Sequence, residues 1–134
     1  MSGAAAGTDA VFAAHGVAVA YLFGSRAEGT ARPDSDHDVA VLFADEDPAF
    51  DATVRLGAAL AAVLGTPVDV VDLDRAELEL RGRVADRGRL LFSADEARRV
   101  GFEVDARVRW IDFRPVLEET TRAYLRRIAA EGLR

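Results

Sequence analysis

Three aspartates and one glycine–serine pair are the residues of this chain whose types and spacing can do chemistry. Gly24-Ser25 closes an apolar run, ten residues follow, and Asp36 and Asp38 stand one residue apart at the entry to a second apolar run. Alternate residues of a strand share a face, which sets Asp36 and Asp38 on one side roughly 7 Å apart and turns His37 to the other. Two carboxylates so placed repel each other, and a divalent cation between them relieves both the repulsion and the desolvation. Hard oxygen donors, no cysteine and one badly placed histidine favour Mg²⁺ or Mn²⁺ over Zn²⁺. Asp69 lies inside a third apolar run between Val68 and Val70. A charge there is costly without a partner, so Asp69 is the third candidate ligand, completing a site for two ions. Its rivals Asp72 and Asp74 fall at the end of that run, where capping or solvation accounts for them.

Gly24 lets the backbone approach an anion closely, and Ser25 offers a hydroxyl and an amide at the start of a short helix, a favourable place for phosphate. Arg26 and Arg32 are candidate charge partners for a triphosphate, and each reads equally well as a surface arginine. Neither the Gly-Ser pair nor the Asp-x-Asp pair says much alone. Their fixed order along strand, turn and strand says more.

The elements that must position these residues follow from periodicity and turn chemistry. Thr8 caps a short helix to Ala14 with Val11 and Phe12 inward, and Gly16 ends it in a left-handed conformation. Strands are expected at Val17 to Phe23, His37 to Phe43, Pro67 to Leu73 and Arg89 to Phe92. Residues Ser25 to Thr30 form a short helix, and Pro33-Asp34-Ser35 supplies a turn. A helix from Pro48 to Leu64 carries Leu56, Leu60, Val63 and Leu64 on its inner stripe, closed by Gly65. Asp74 and Glu77 cap a helix over Arg75 to Asp86 that Gly88 ends, and Ser93 and Glu96 cap the next. There Val100, Val104, Val108 and Ile111 recur at helical spacing as far as Pro115, where a break or kink is expected before a last helix to Glu131. The sum is an α/β (α+β) fold, a small mixed sheet flanked by helices.

With 134 residues, 50% of them apolar, the chain suits one domain, residues 1–134, with 1–7 flexible and 94–134 forming C-terminal helices. No apolar run is long enough to span a membrane, and the start lacks the basic and apolar regions of an export signal, which points to the cytoplasm. All 17 basic residues are arginine, which excludes any lysine nucleophile, Schiff base or P-loop lysine. A net charge of −6 argues against general nucleic-acid binding. The charge is uneven: residues 1–97 carry 8 Arg against 17 acids, residues 98–134 carry 9 Arg against 6. That basic end can dock an acidic partner or serve as a solvated helix face.

The Gly24-Ser25, ten-residue, Asp36-His37-Asp38 pattern with Asp69 beyond it resembles the nucleotidyltransferase superfamily that includes DNA polymerase β and kanamycin nucleotidyltransferase. It most resembles the minimal nucleotidyltransferases, and Val84 to Phe92 and Trp110-Ile111-Asp112-Phe113 extend the likeness over most of residues 17–125. Glu28 departs from the pattern, since relatives often carry arginine there. The resemblance implies a polymerase β-like fold and two Mg²⁺ ions held by Asp36, Asp38 and Asp69. It also implies ATP as substrate and attack of an acceptor hydroxyl on the α-phosphate with loss of pyrophosphate.

Larger relatives bind their acceptors with an added domain. For the minimal group the resemblance implies a partner instead: a HEPN-domain ribonuclease toxin encoded nearby, to which AMP is added on a tyrosine, making the nucleotidyltransferase an antitoxin. Two alternatives stand beside this, neutralisation of a toxin by binding alone, and transfer to a small molecule such as an aminoglycoside. Trp110, Phe113 and Tyr124 suit either core packing or a partner surface. The sequence leaves the oligomeric state open, a homo-oligomer included.

Overall fold

The computed structural model describes residues 3–24, 29 and 36–131, and their side chains except those of residues 3–6, 112–118 and 131. Strands β1 (Val17–Phe23), β2 (His37–Phe43), β3 (Val68–Asp72) and β4 (Arg89–Ser93) form one sheet in the order β3-β2-β1-β4. β1 runs antiparallel to β2 and β4, while β2 and β3 are parallel. β1 and β2 are central and buried on both faces, which is why Val17 to Leu22 and Val39 to Phe43 are apolar without alternation.

Helices α1 (Gly3–Ala14) and α2 (Ala52–Leu64) cover one face, packing Phe12, Leu56 and Leu60 on Leu22, Val39 and Val41. Helices α3 (Leu78–Arg87) and α4 (Glu96–Glu131) cover the other, where Val84, Phe102 and Ala106 meet Tyr21, Ala40 and Leu42. The Tyr21 hydroxyl donates to Glu103 at 2.8 Å, and Arg99 holds the same carboxylate at 2.9 Å. Burial first, and then the Glu103 carboxylate, push the Tyr21 pKa far above its usual value, so the phenol stays protonated. This contact ties the middle of β1 to α4.

Several helix limits differ from those the sequence suggests. α1 begins before Thr8, because Ala4, Ala5 and Ala6 extend the helix backwards. α2 begins at Ala52 rather than Pro48, since the Asp45 carboxylate takes the Asp47 amide at 3.0 Å in a local turn that competes with helix. Val63, expected on the inner stripe, is 41% exposed. Asp74 and Glu77 form no capping box. Asp72 instead accepts the Asp74 amide at 3.0 Å and starts a 3₁₀ turn over Leu73–Arg75, while Asp74 receives Arg98 at 2.6 Å. Ser93 does reach Glu96, at 2.6 Å, but it is Asp95 that accepts a free amide in the first turn of α4, from Arg98 at 3.1 Å.

The larger correction concerns α4. It is one helix of 36 residues, so Pro115 does not end it; a proline removes one amide donor, and the turns on either side still carry the helix through. Its sheet-facing side is Phe102 and Ala106, with Trp110 half-buried, and not the Val100, Val104, Val108 and Ile111 stripe, which is exposed. Spacing reveals that a stripe exists, and α4 has two. Trp110 lies against Gly82 of α3, where an added Cβ would come within 2.5 Å of the indole, so its packing role is the one realised. The Phe113 side chain lies outside the described residues.

Candidate active site

Strand pairing brings the candidate residues to one end of the sheet. Phe23, the last residue of β1, pairs with Asp38, and Asp38 pairs with Asp69 across the parallel β2–β3 ladder. Asp38 alternates with Ala40 and Leu42, so it points to the α3–α4 face, and Asp36 precedes β2 two residues before it. His37 belongs with Val39 on the opposite face. Its Nδ1 lies 2.7 Å from Thr66 Oγ1, and its amide donates to the Pro67 carbonyl at 3.0 Å. Those two contacts hold the start of β2 against the start of β3, the register that sets Asp38 beside Asp69.

Asp38 is half-buried, whereas Asp36 and Asp69 are exposed. Burial raises the Asp38 pKa, the charges of Asp69 and then Asp36 raise it further, and His37 partly opposes them. The neighbouring carboxylates therefore disfavour ionisation of Asp38. All donors are carboxylate oxygens, a set that suits a hard divalent cation such as Mg²⁺ or Mn²⁺. Among the described residues no three such side chains are converged on one ion position.

Gly24 has a role beyond the one its place in the sequence suggests. Its φ is +74°, and an added Cβ would lie 2.7 Å from Asp38 Oδ2. The residue makes the left-handed turn out of β1 and leaves space for the Asp38 carboxylate. Ser25, Arg26, Arg32 and Glu28 lie outside the described residues. Sequence reasoning missed Thr66, whose only signal was a hydroxyl beside the strand-opening Pro67. It also missed the clearance at Gly24, which depends on a side chain fourteen positions away.

Residues 9–97 match the family model for polymerase beta, nucleotidyltransferase. The chain belongs to this family. It is similar to protein adenylyltransferase MntA of Shewanella oneidensis, with 40% identity over 78 residues, 57% of this chain. That match spans about half the relative's length, 54%. Among solved structures, it resembles a toxin–antitoxin with AMP-PNP at 28% identity and a TM-score of 0.70, covering 93% of this chain and 98% of the other. It also resembles a chain of a tri-AMPylated Shewanella oneidensis HEPN toxin in complex with MNT antitoxin, at 25% identity and a TM-score of 0.66, over 94% of this chain and 96% of that one. The four-stranded mixed sheet is thus the polymerase β-like nucleotidyltransferase fold. Among the described residues no helix is long and apolar enough to cross a membrane.

Proposed function

We propose that this chain transfers AMP from ATP to a hydroxyl, a tyrosine, of a HEPN-domain toxin encoded beside it, and so acts in the cytoplasm as the antitoxin. The observation that carries this reading is the register placing Asp38 against Asp69, with Asp36 two residues away, at the end of β1 where the Gly24 turn begins. The relative bearing the name protein adenylyltransferase, and the antitoxin chain solved with an AMPylated HEPN toxin, support the choice of substrate and partner.

Asp36, Asp38 and Asp69 would hold the magnesium ions, two in number, with manganese an acceptable substitute. Bound there, the metal would neutralise the triphosphate and lower the pKa of the acceptor hydroxyl. The chain's own part is largely positioning. Gly24 keeps the phosphate-side turn clear of the Asp38 carboxylate. Ser25 donates to phosphate, and Arg26 and Arg32 offset its charge. Asp69, which is exposed, would accept the acceptor's proton.

The test is to incubate the protein with Mg²⁺, labelled ATP and the neighbouring HEPN protein, and to weigh the intact products. The expected result is one or more added AMP masses on the HEPN protein, absent with Asp36→Asn. Neutralisation of the toxin that survives Asp36→Asn with no mass change would replace this reading with neutralisation by binding. Label on an aminoglycoside would instead indicate a small-molecule acceptor.

A further inference from the structure

α4 is apolar on two opposite sides, and only one of them is used by the fold. Phe102 and Ala106 are buried against the sheet, with Arg99 and Glu103 in the Tyr21 network beside them. On the other side Val100, Val104, Val108 and Ile111 are 48%, 55%, 53% and 66% exposed. At 3.6 residues per turn these four positions fall within a sector of about 80°. They form a continuous aliphatic ridge about three turns long.

We propose that this outer ridge of α4 is the docking surface for the acceptor protein, a partner presenting an apolar groove with an acidic rim. The inference rests on the reading above that the acceptor is a protein. The match to the nucleotidyltransferase family ends at residue 97, and α4 starts at Glu96, so the helix lies almost wholly outside the part shared with the family at large. The chains from toxin–antitoxin structures, in contrast, match over 93% and 94% of this chain, which cannot be done without most of α4. The helix is therefore part of what this chain shares with those toxin–antitoxin structures beyond the span of the family model.

Charge selects among occupants. Residues 98–134 carry 9 Arg against 6 acids, while the rest of the chain carries 8 against 17. Beside the ridge Arg98, Arg99, Arg107 and Arg109 are paired within the chain, and the unbalanced arginines Arg122, Arg126 and Arg127 lie farther along α4, where a partner's acidic rim would meet them. A different protein with an acidic rim is favoured, and an amphipathic helix laid in an apolar groove is a common form of such recognition.

The experiment uses the full chain and the HEPN protein encoded beside it, with Val104→Asp and the milder Val104→Ser, and with Asp36→Asn as a site control. Because Val104 is exposed, both ridge variants keep the wild-type melting temperature. Val104→Asp weakens binding of the HEPN protein by about 30-fold or more in calorimetry, as loss of a central contact does, and Val104→Ser weakens it less. Asp36→Asn binds as wild type does, and this chain alone sediments as a monomer. Unchanged affinity for both ridge variants overturns the proposal. So does a dimer of the chain alone that Val104→Asp dissociates without changing HEPN affinity, which assigns the ridge to a second copy. Binding through the ridge with no AMP transfer by the wild type would leave this inference standing and remove the reading beneath it.

Discussion

Asp38 holds its charge against burial and two neighbouring carboxylates, and this makes it a sensor of whatever neutralises the site. Its pKa is higher folded than unfolded, so between those two values the folded state binds more protons and stability falls as pH rises. Above the folded value the full destabilisation is present, and below the unfolded value it is absent. In metal-free protein, then, Asp38→Asn should melt above wild type at neutral pH, with the gap closing as pH falls through the carboxylate range. Added Mg²⁺ should narrow the gap at neutral pH by stabilising only the wild type. Thermal melts across pH, with and without Mg²⁺, would detect this, and a gap independent of pH would count against it. Gly24→Ala is a second case. The left-handed φ costs roughly 1 to 2 kcal/mol for a residue with a Cβ, and that Cβ forces Asp38 to move. A displacement of this kind should lower AMP transfer by about 100-fold, a loss that steady-state kinetics would register at saturating Mg²⁺.

Among the elements, the strands were the most legible. β1 and β2 have the limits expected, because each is an apolar run enclosed by residues that cannot continue it, Gly16 and Gly24 around β1 and the Asp45 turn after β2. The pairing of Asp38 with Asp69 follows from the same strands, whereas Asp36 precedes β2 and its part in the site belongs to the proposal. The helix ends were less legible. Asp72, Asp74, Ser93 and Asp95 are all competent caps, and the choice among them is made by partners distant in sequence, such as Arg98 on Asp74. In α4 the helical recurrence of Val100, Val104, Val108 and Ile111 does not mark the buried face, which is Phe102 and Ala106, the residues that fit the space over Tyr21. That space is narrow where α3 meets α4. Gly82→Ala puts a methyl group into the Trp110 side chain and should cost about 1 to 3 kcal/mol in urea unfolding, as overpacking does. A loss near zero would mean the two helices can part freely.

For the whole molecule, the acidic body and basic C-terminal segment act in opposite senses. A cation bound at the proposed site would partly relieve the body's excess of carboxylates and so link ligand binding to folding. At a free ligand concentration 100 times its Kd the folded state gains about 2.7 kcal/mol. Mg²⁺ with a non-hydrolysable ATP analogue should therefore raise the melting temperature in a concentration-dependent way, and EDTA should reverse it. Substituting both Asp36 and Asp69 by Asn should abolish the response while leaving the fold intact.

Asp69 belongs to β3, which pairs with β2 on one side and, among the described residues, has no strand on the other. One carboxylate of the constellation is thus carried by the border of the sheet, held largely by the β2 ladder and by α2. Border strands open more readily than central ones, through local fluctuations far smaller than global unfolding. The two halves of the site should consequently differ in kinetic lifetime, Asp38 opening only with the central sheet and Asp69 with the border strand. In amide exchange, nucleotide and metal should slow β3 much more than β1, because only the outlying strand has protection left to gain. The register that builds the site is also the means by which an occupied site closes the sheet.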